Sequence, residues 1–143
     1  MRLLVILALL TLSATARADY QQEIDTFFES VLQGETMEAL DTLYSTNPWI
    51  SESSDAIENV KSQLAGLEQL VGDFHGAEEL GARNVKDRFV HVTYLALYDR
   101  QPVRMEFQFW RPREDWMIFS FSFDVDFDNE IEMAERARIA SGE

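Results

Sequence analysis

The sequence predicts an α+β domain in which three N-terminal helices pack on a curved four-stranded antiparallel sheet and a short helix closes the chain. Two observations predict this class. Between residues 20 and 71, apolar side chains recur at three- and four-residue steps, which is the spacing of one helix face. From residue 73 the period changes to two, as expected for strands that bury one face.

Each predicted helix has an apolar stripe and an end signal. Gly34 ends the first helix, Asn47-Pro48 breaks the second and Gly72 stops the third. Small polar residues at 51–55 offer N-caps for the third helix. A charged helix closes the chain. The predicted helices cover residues 20–32, 36–44, 57–71 and 129–140.

Period-two alternation defines four strands, which follow one another as a meander. The first strand is weak, and Gly76 and Gly81 are expected to mark bulges in it. The last strand is the longest, because alternate residues from Met117 to Phe127 are all apolar. The predicted strands cover residues 74–85, 89–98, 103–110 and 116–127.

Hairpin geometry predicts the register of the last three strands. We expect a two-residue turn at Arg100-Gln101 and a three-residue loop at 113–115, the two commonest hairpin classes. These turns place apolar side chains opposite one another on the face that the helices cover. The predicted pairs are Tyr94 with Phe107, Val92 with Phe109, Phe107 with Phe121, Phe109 with Phe119 and Met105 with Phe123.

The first eighteen residues predict a secretory signal peptide. A positive residue precedes an almost wholly apolar run, and Ala16-Arg17-Ala18 matches the small-x-small site of signal peptidase. The run is shorter than a membrane-spanning helix needs, although an uncleaved membrane anchor stays an alternative. We therefore expect residues 19–143 to form one mature domain that is periplasmic or secreted.

The composition restricts the partners of the chain. It has 12 Lys and Arg against 26 Asp and Glu, which gives a net charge of −14 over 143 residues. Removal of Arg2 and Arg17 with the signal leaves 12 less 2, or 10, basic residues and a charge of −16. Such a chain repels phosphate backbones and anionic bilayers, so we expect neither nucleic acid nor a membrane as partner. The absence of cysteine excludes a thiol nucleophile, a disulfide scaffold and a lipoprotein anchor.

The outer face of the predicted sheet, which the three helices leave uncovered, is mixed rather than polar. A group of apolar and aromatic residues on one sheet face is typical of a contact surface, so we expect a homodimer or a protein partner there. The alternative is that the C-terminal helix or a loop folds over it. The interface candidates are His91, Leu95, Trp110, Trp116 and Ile118.

Two stretches carry a family resemblance. One runs from Phe27-Phe28 through Gly34-Glu35 to Leu43-Tyr44, and the other is Asp115-Trp116-Met117-Ile118. Both resemble the nuclear transport factor two-like superfamily, in which a Gly-Trp hairpin opens the last strand; here Asp115 replaces the Gly. The resemblance covers most of residues 20–127. It implies a cone-like sheet with a pocket beneath the helices and dimers formed through sheet faces. The family spans isomerases, dehydratases, cyclases, binders and interaction modules, so it does not select a function.

Enzymes of that family place a carboxylate or a histidine inside the cone as general base. The predicted concave face of this chain has only two phenols as polar groups, so it suits either an apolar ligand or a filled core. The pocket candidates are Tyr94, Tyr98, Met105, Phe107 and Phe121. An acid can still enter from the first strand, where the candidates are Asp73, Glu78 and Glu79.

The start of the last helix resembles a calcium loop. Asp124, Asp126 and Asp128 match its first, third and fifth ligands, and Glu135 matches the twelfth. Against this, Asp124 and Asp126 in an extended strand lie too far apart to chelate one ion closely. A plain N-cap at Asp128 is the alternative. We expect no other cofactor, because two histidines are too few for a His-rich metal site.

Besides a calcium-dependent accessory protein of the cell envelope, which the calcium-loop pattern would allow, two functions remain open at this point. The first is an exported small binding or interaction domain with no evident catalytic motif, which holds an apolar ligand in the cone or dimerises through the outer face. The alternative is a small isomerase-like or cyclase-like enzyme that abstracts a proton next to a carbonyl, using an acid of the first strand with Tyr94 or Tyr98.

Overall fold

A computed structural model describes residues 20–50 and 54–142 of the protein; the predicted signal peptide lies outside the described residues. The α+β class and the four-stranded antiparallel sheet are confirmed. No helix within the described ranges is long and apolar enough to cross a membrane. The elements are α1 (Tyr20–Leu32), α2 (Thr36–Ser45), α3 (Asp55–Val71), β1 (Phe74–Val85), β2 (Phe89–Tyr98), β3 (Pro102–Trp110), β4 (Met117–Asp124) and α4 (Phe127–Ser141).

Helix α3 shows how local sequence fixes an element. Ser54 Oγ accepts a hydrogen bond from the backbone N–H of Ile57, which caps the first turn. Gly72 ends the helix with a φ of +88°, a conformation that other residues adopt at a cost. A Cβ atom at this position would also lie 2.6 Å from Asp99 Oδ2, so the close approach of the β2–β3 turn requires glycine here.

The strands form one curved meander in the order β1-β2-β3-β4, with every neighbouring pair antiparallel. Its inner face packs against α1, α2 and α3 in a single apolar core. The irregularities expected at Gly76 and Gly81 of β1 are present. The core residues with no exposed surface are Ile24, Leu40, Leu64, Val71, Val90, Val92, Ala96, Val103, Met105, Phe107, Phe109 and Ile118.

The predicted register between β2 and β3 is wrong by two residues. Tyr94 lies opposite Met105, and Val92 lies opposite Phe107. The connection is longer than the expected two-residue turn, because the end of β2 pairs with β1 and not with β3. Tyr98 lies opposite Phe74, and the next backbone N–H, that of Asp99, donates to the Asp73 carbonyl. A slip of two preserves the side-chain alternation, so each residue keeps its predicted face.

A β-bulge in β4 changes the residue pairing that was predicted for the end of the sheet. Met105 lies opposite Phe123 and Phe107 opposite Phe121, as expected. Phe109, however, pairs with Ile118 and not with Phe119, which is the extra residue of the bulge. Ile118 therefore turns inward and is fully buried. Phe119 turns outward and is 59% exposed, although it was expected in the core.

The last strand is shorter than the alternation predicts. It begins at Met117 and ends at Asp124, and Val125 is exposed. Phe127 begins α4, so the apolar alternation after residue 124 belongs to a turn and a helix. Asp126, and not Asp128, takes the N-cap position, and its side chain makes no capping hydrogen bond.

Candidate functional site

The space between the sheet and the helices is filled by side chains. Phe27 of α1 packs its ring 5.3 Å from the rings of both Phe107 and Phe121, measured between centroids. Met105 and Phe107 have no exposed surface. Of the five pocket candidates, Met105, Phe107 and Phe121 are therefore core residues, and Tyr94 and Tyr98 lie where the core meets polar groups.

Tyr94 marks one edge of this core. Its hydroxyl lies 2.9 Å from Gln21 Nε2, which donates a hydrogen bond to it. Glu79 of β1 lies opposite Tyr94 in the sheet, so one of the three acids expected from the first strand approaches a predicted phenol. Burial raises the pKa of Tyr94; the Gln21 hydrogen bond opposes that effect, and the charge of Glu79 reinforces it.

Tyr98 lies at the other edge of the core and lines a groove that the sequence did not predict. The groove has a volume of about 730 Å³ and lies between the start of α2, the C-terminal half of α3 and the start of β1. We call it the Glu68 groove, defined by Thr36, Met37, Glu68, Phe74, His75 and Tyr98, which line it together with neighbouring residues. Its volume is in the range that small-molecule sites occupy.

The Glu68 carboxylate is held from two sides. Thr36 Oγ1 donates a 2.8 Å hydrogen bond to Glu68 Oε1, and the Tyr98 hydroxyl donates to the same oxygen at 3.4 Å. Burial is the main cause that raises the pKa of Tyr98, and the Glu68 charge adds to it. Tyr98 therefore remains a donor at every physiological pH. Glu68 Oε2 accepts no hydrogen bond from the described part of the chain, and it is the oxygen available to a ligand.

A histidine–carboxylate pair lies at the end of the groove that β1 forms. His75 Nε2 lies 2.5 Å from Asp99 Oδ1, and Asp99 Oδ2 accepts a 2.8 Å hydrogen bond from the backbone N–H of Asp73. The hydrogen bond with His75 is the largest cause that lowers the pKa of Asp99. Asp99 thus fixes the orientation of the imidazole, as a carboxylate does for a general base or a ligand-binding histidine.

The groove is lined by both apolar and acidic residues. Leu32, Met37 and Phe74 are apolar, and Leu32 is largely exposed. Glu38 and Glu68 are among the acidic residues of the same lining. The lining fits a small amphipathic molecule whose apolar part contacts the first group and whose cationic or hydrogen-bond-donating group reaches Glu68.

The interface candidates divide between the two faces of the sheet. His91, Leu95 and Trp110 lie on the outer face, as predicted. Trp116 and Ile118 do not, because both are buried. The rest of the outer-face prediction is unaffected by this correction.

Trp116 is held in the core by two contacts. Its ring lies edge-on to that of Tyr20 with centroids 5.2 Å apart, and the Arg111 guanidinium covers it at 4.9 Å. The β4 bulge explains why Ile118 is buried, since the bulge reverses the alternation on which its predicted outer position rested.

The four calcium candidates are not gathered into a cluster. Asp124 pairs with Arg104, whereas Glu135, in the middle of α4, pairs with Arg138. Asp126 and Asp128 lie at the start of α4. Within residues 20–50 and 54–142, no three His, Asp or Glu side chains come close enough to hold a metal ion together.

The groove residues were missed because they come from three separate elements. One signal was present: Glu68 lies four residues after Leu64 and three before Val71, on the apolar stripe of α3. An acid at a core-facing position needs hydrogen-bond partners, so this spacing predicts a polar site.

Comparison of the chain with family models, with curated proteins and with solved structures gives no match.

Proposed function

We propose that this protein is an exported binding domain of the cone-like α+β type and that the Glu68 groove is its ligand site. The observation that carries the proposal is a carboxylate hydrogen-bonded by Thr36 and Tyr98 in an open groove whose lining includes apolar side chains. The filled core supports this groove, rather than the interior, as the place where a ligand binds. The resemblance to the nuclear transport factor two-like superfamily agrees with a curved sheet under helices.

The chemistry of the groove favours an amphipathic cation. Glu68 presents a fixed negative charge, and Glu38 and Asp73 add to the negative potential. Leu32 and Met37 cover apolar surface of the ligand. Export to the periplasm or beyond follows from the predicted signal peptide and fits a domain that meets small molecules outside the cytoplasm.

A matched pair of variants tests the site. Primary alkylamines and alkyl carboxylates of equal chain length are titrated into isotopically labelled protein, and amide shifts are followed by NMR. We expect the amines to shift the amides of Thr36, Gly72 and Tyr98. Glu68→Gln keeps both accepted hydrogen bonds and removes the charge, so amine binding should weaken about tenfold.

Glu114→Gln is the matched control, because Glu114 is exposed on the β3–β4 loop. It should leave the amine titration unchanged. Equal binding of amines and carboxylates, or no shift in the groove at any ligand concentration, would contradict the proposal.

The second candidate is an isomerase-like or cyclase-like enzyme. The sequence predicted an acid of the first strand as its base, and the His75–Asp99 pair favours His75 in that role instead. His75 and Tyr98 line the same groove, so the imidazole as base and the Tyr98 hydroxyl, once turned from Glu68 Oε1, could act on one carbonyl compound. The test is deuterium uptake next to the carbonyl of small ketones, followed by NMR. Tyr98→Phe and His75→Gln should each abolish it in an enzyme. In a pure binding domain there is no uptake to lose.

A further inference from the structure

The outer face carries an apolar row at the end of the sheet farthest from the Glu68 groove. Val85, Phe89, Trp110 and Met117 are successive cross-strand neighbours on β1, β2, β3 and β4. The β4 bulge adds Phe119, whose ring lies 5.9 Å from that of Phe89, edge to face. Val85, Trp110 and Phe119 each expose 40% or more of their surface. We call Val85, Phe89, Trp110 and Phe119 the aromatic row.

Four cations flank the row in a chain that is otherwise strongly acidic. Arg83 lies on β1, Lys86 and Arg88 lie in the β1–β2 turn, and Arg113 lies in the β3–β4 loop; all four are exposed. Asp87 is neutralised by Arg111. Against the four cations stand Glu114 and Asp115 of the β3–β4 loop. Arg83 also lines a pocket with Glu106 and Glu130, which pair with His91 and Arg104. The row therefore has a net positive border, although the whole chain carries −14.

The position of α4 narrows the class of partner. This helix has no buried residue, and Glu130 of its first turn pairs with Arg104 on the same outer face. Asp128, Glu132 and Glu135 add further acids to it. A flat anionic bilayer on this face would also meet the acids of α4, which opposes membrane binding. A single narrow segment along the row would approach α4 only beside Arg83, which lines a pocket with Phe127 and Glu130.

We propose that the aromatic row docks an acidic, amphipathic protein segment. Apolar side chains of the segment would cover Trp110 and Phe119, and its carboxylates would face Arg83 and Lys86. The row crosses three inter-strand spacings, or about 14 Å, which accommodates one helix about 10 Å across. Exposed aromatic side chains ringed by opposite charge are the usual anchors of such contacts. This surface acts independently of the Glu68 groove.

The probe is a short synthetic peptide with Glu on one face of a helix and Leu on the other, labelled with fluorescein. Binding to the full domain is followed by fluorescence anisotropy. We expect the peptide to bind and its Lys-for-Glu counterpart not to bind. The double variant Arg83→Ser/Lys86→Ser should weaken binding about tenfold and reduce its salt dependence. Trp110→Ala should weaken it by a similar factor.

Two control variants match these changes elsewhere on the surface. Arg136→Ser/Arg138→Ser removes two cations from α4, and Trp49→Ala removes an exposed Trp from the segment between α2 and α3. Both should leave binding unchanged. Failure of the peptide to bind, equal binding of the Lys peptide, or equal losses in the controls would overturn the proposal. Binding to phosphatidylglycerol vesicles instead, or dimerisation that excludes the peptide, would also overturn it.

Discussion

The inner and outer faces of this sheet both carry aromatic side chains, and they differ in what the rings contact. On the inner face Phe107 lies within 6 Å of four other rings and has no exposed surface. On the outer face Trp110 and Phe119 are left in contact with solvent. The inner rings stabilise the fold by being buried, and this alone accounts for their presence. The exposed outer rings add little stability, so they are the better indicators of a partner.

Truncation of one ring on each face gives the largest expected difference. Phe107→Ala should lower the free energy of unfolding by about 3–5 kcal/mol, because it leaves a cavity among packed rings. Phe119→Ala should cost no more than about 1 kcal/mol, since it removes one edge contact at the surface. Urea unfolding followed by circular dichroism measures both. Equal losses would mean that the outer row also holds the fold together.

Hydrogen bonds allow the same comparison of the two faces, with smaller expected losses of stability. Asn47 Nδ2 donates a 2.8 Å hydrogen bond to the buried Ile118 carbonyl, which ties the end of α2 to the β4 bulge. Asn47→Ala leaves that carbonyl unpaired and should cost about 1–3 kcal/mol. Ser122 donates to Glu106 on the outer face at 3.4 Å, and Ser122→Ala should stay within about 0.5 kcal/mol. Similar losses in the same urea experiment would break the distinction between the faces.

The β1–β2 turn offers a change in the opposite direction. Lys86 and Asp87 both adopt positive φ angles, +52° and +55°, which suit Asn and Gly better than Lys. Lys86→Asn should therefore raise the free energy of unfolding by about 0.5 kcal/mol. Arg83→Asn, in the extended part of the same hairpin, is the control and should give no gain. A loss in Lys86→Asn would show that the lysine stabilises the turn by another contact.

The exposed His75–Asp99 pair should give the smallest effect, and one that depends on pH. The pKa of Asp99 is lowered in the folded state, so ionised Asp99 contributes stability above its unfolded pKa of about 4. That contribution disappears as the pH falls through the lower, folded pKa. Melting temperatures of the wild type and Asp99→Asn should therefore differ at neutral pH and converge in acid. A gap that widens in acid would contradict this sign.

Local sequence patterns predicted the helices and strands more accurately than they predicted the contacts between those elements. The bounds of β2, Phe89–Tyr98, follow directly from its alternation, and Gly34 and Gly72 end their helices as expected. The β2–β3 register failed because the length of the turn depends on hydrogen bonds to residues 71–73, which no hairpin rule includes. The bulge at Phe119 was not predicted, because an extra residue does not change the apolar pattern that precedes or follows it.

The candidate site was predicted only in part, for the same reason. Tyr98 was identified because alternation places it on the inner face. Its partners Thr36 and Glu68 lie 62 and 30 residues away in the chain, and only the packing of α2 and α3 on the sheet brings all three together. The spacing of Glu68 along α3 was the single local sign of the groove.

The irregularities of β1 have a consequence for how the molecule behaves when it is crowded. β1 is an edge strand, so one row of its backbone N–H and C=O groups is available to strands of other molecules. The breaks before Gly76 and before Gly81 limit its regular stretches to at most five residues, from Gly81 to Val85. A growing intermolecular sheet needs a longer straight template, and charged side chains such as Glu78 on the strand oppose it further. The kinks in β1 therefore oppose the growth of an intermolecular sheet from this edge.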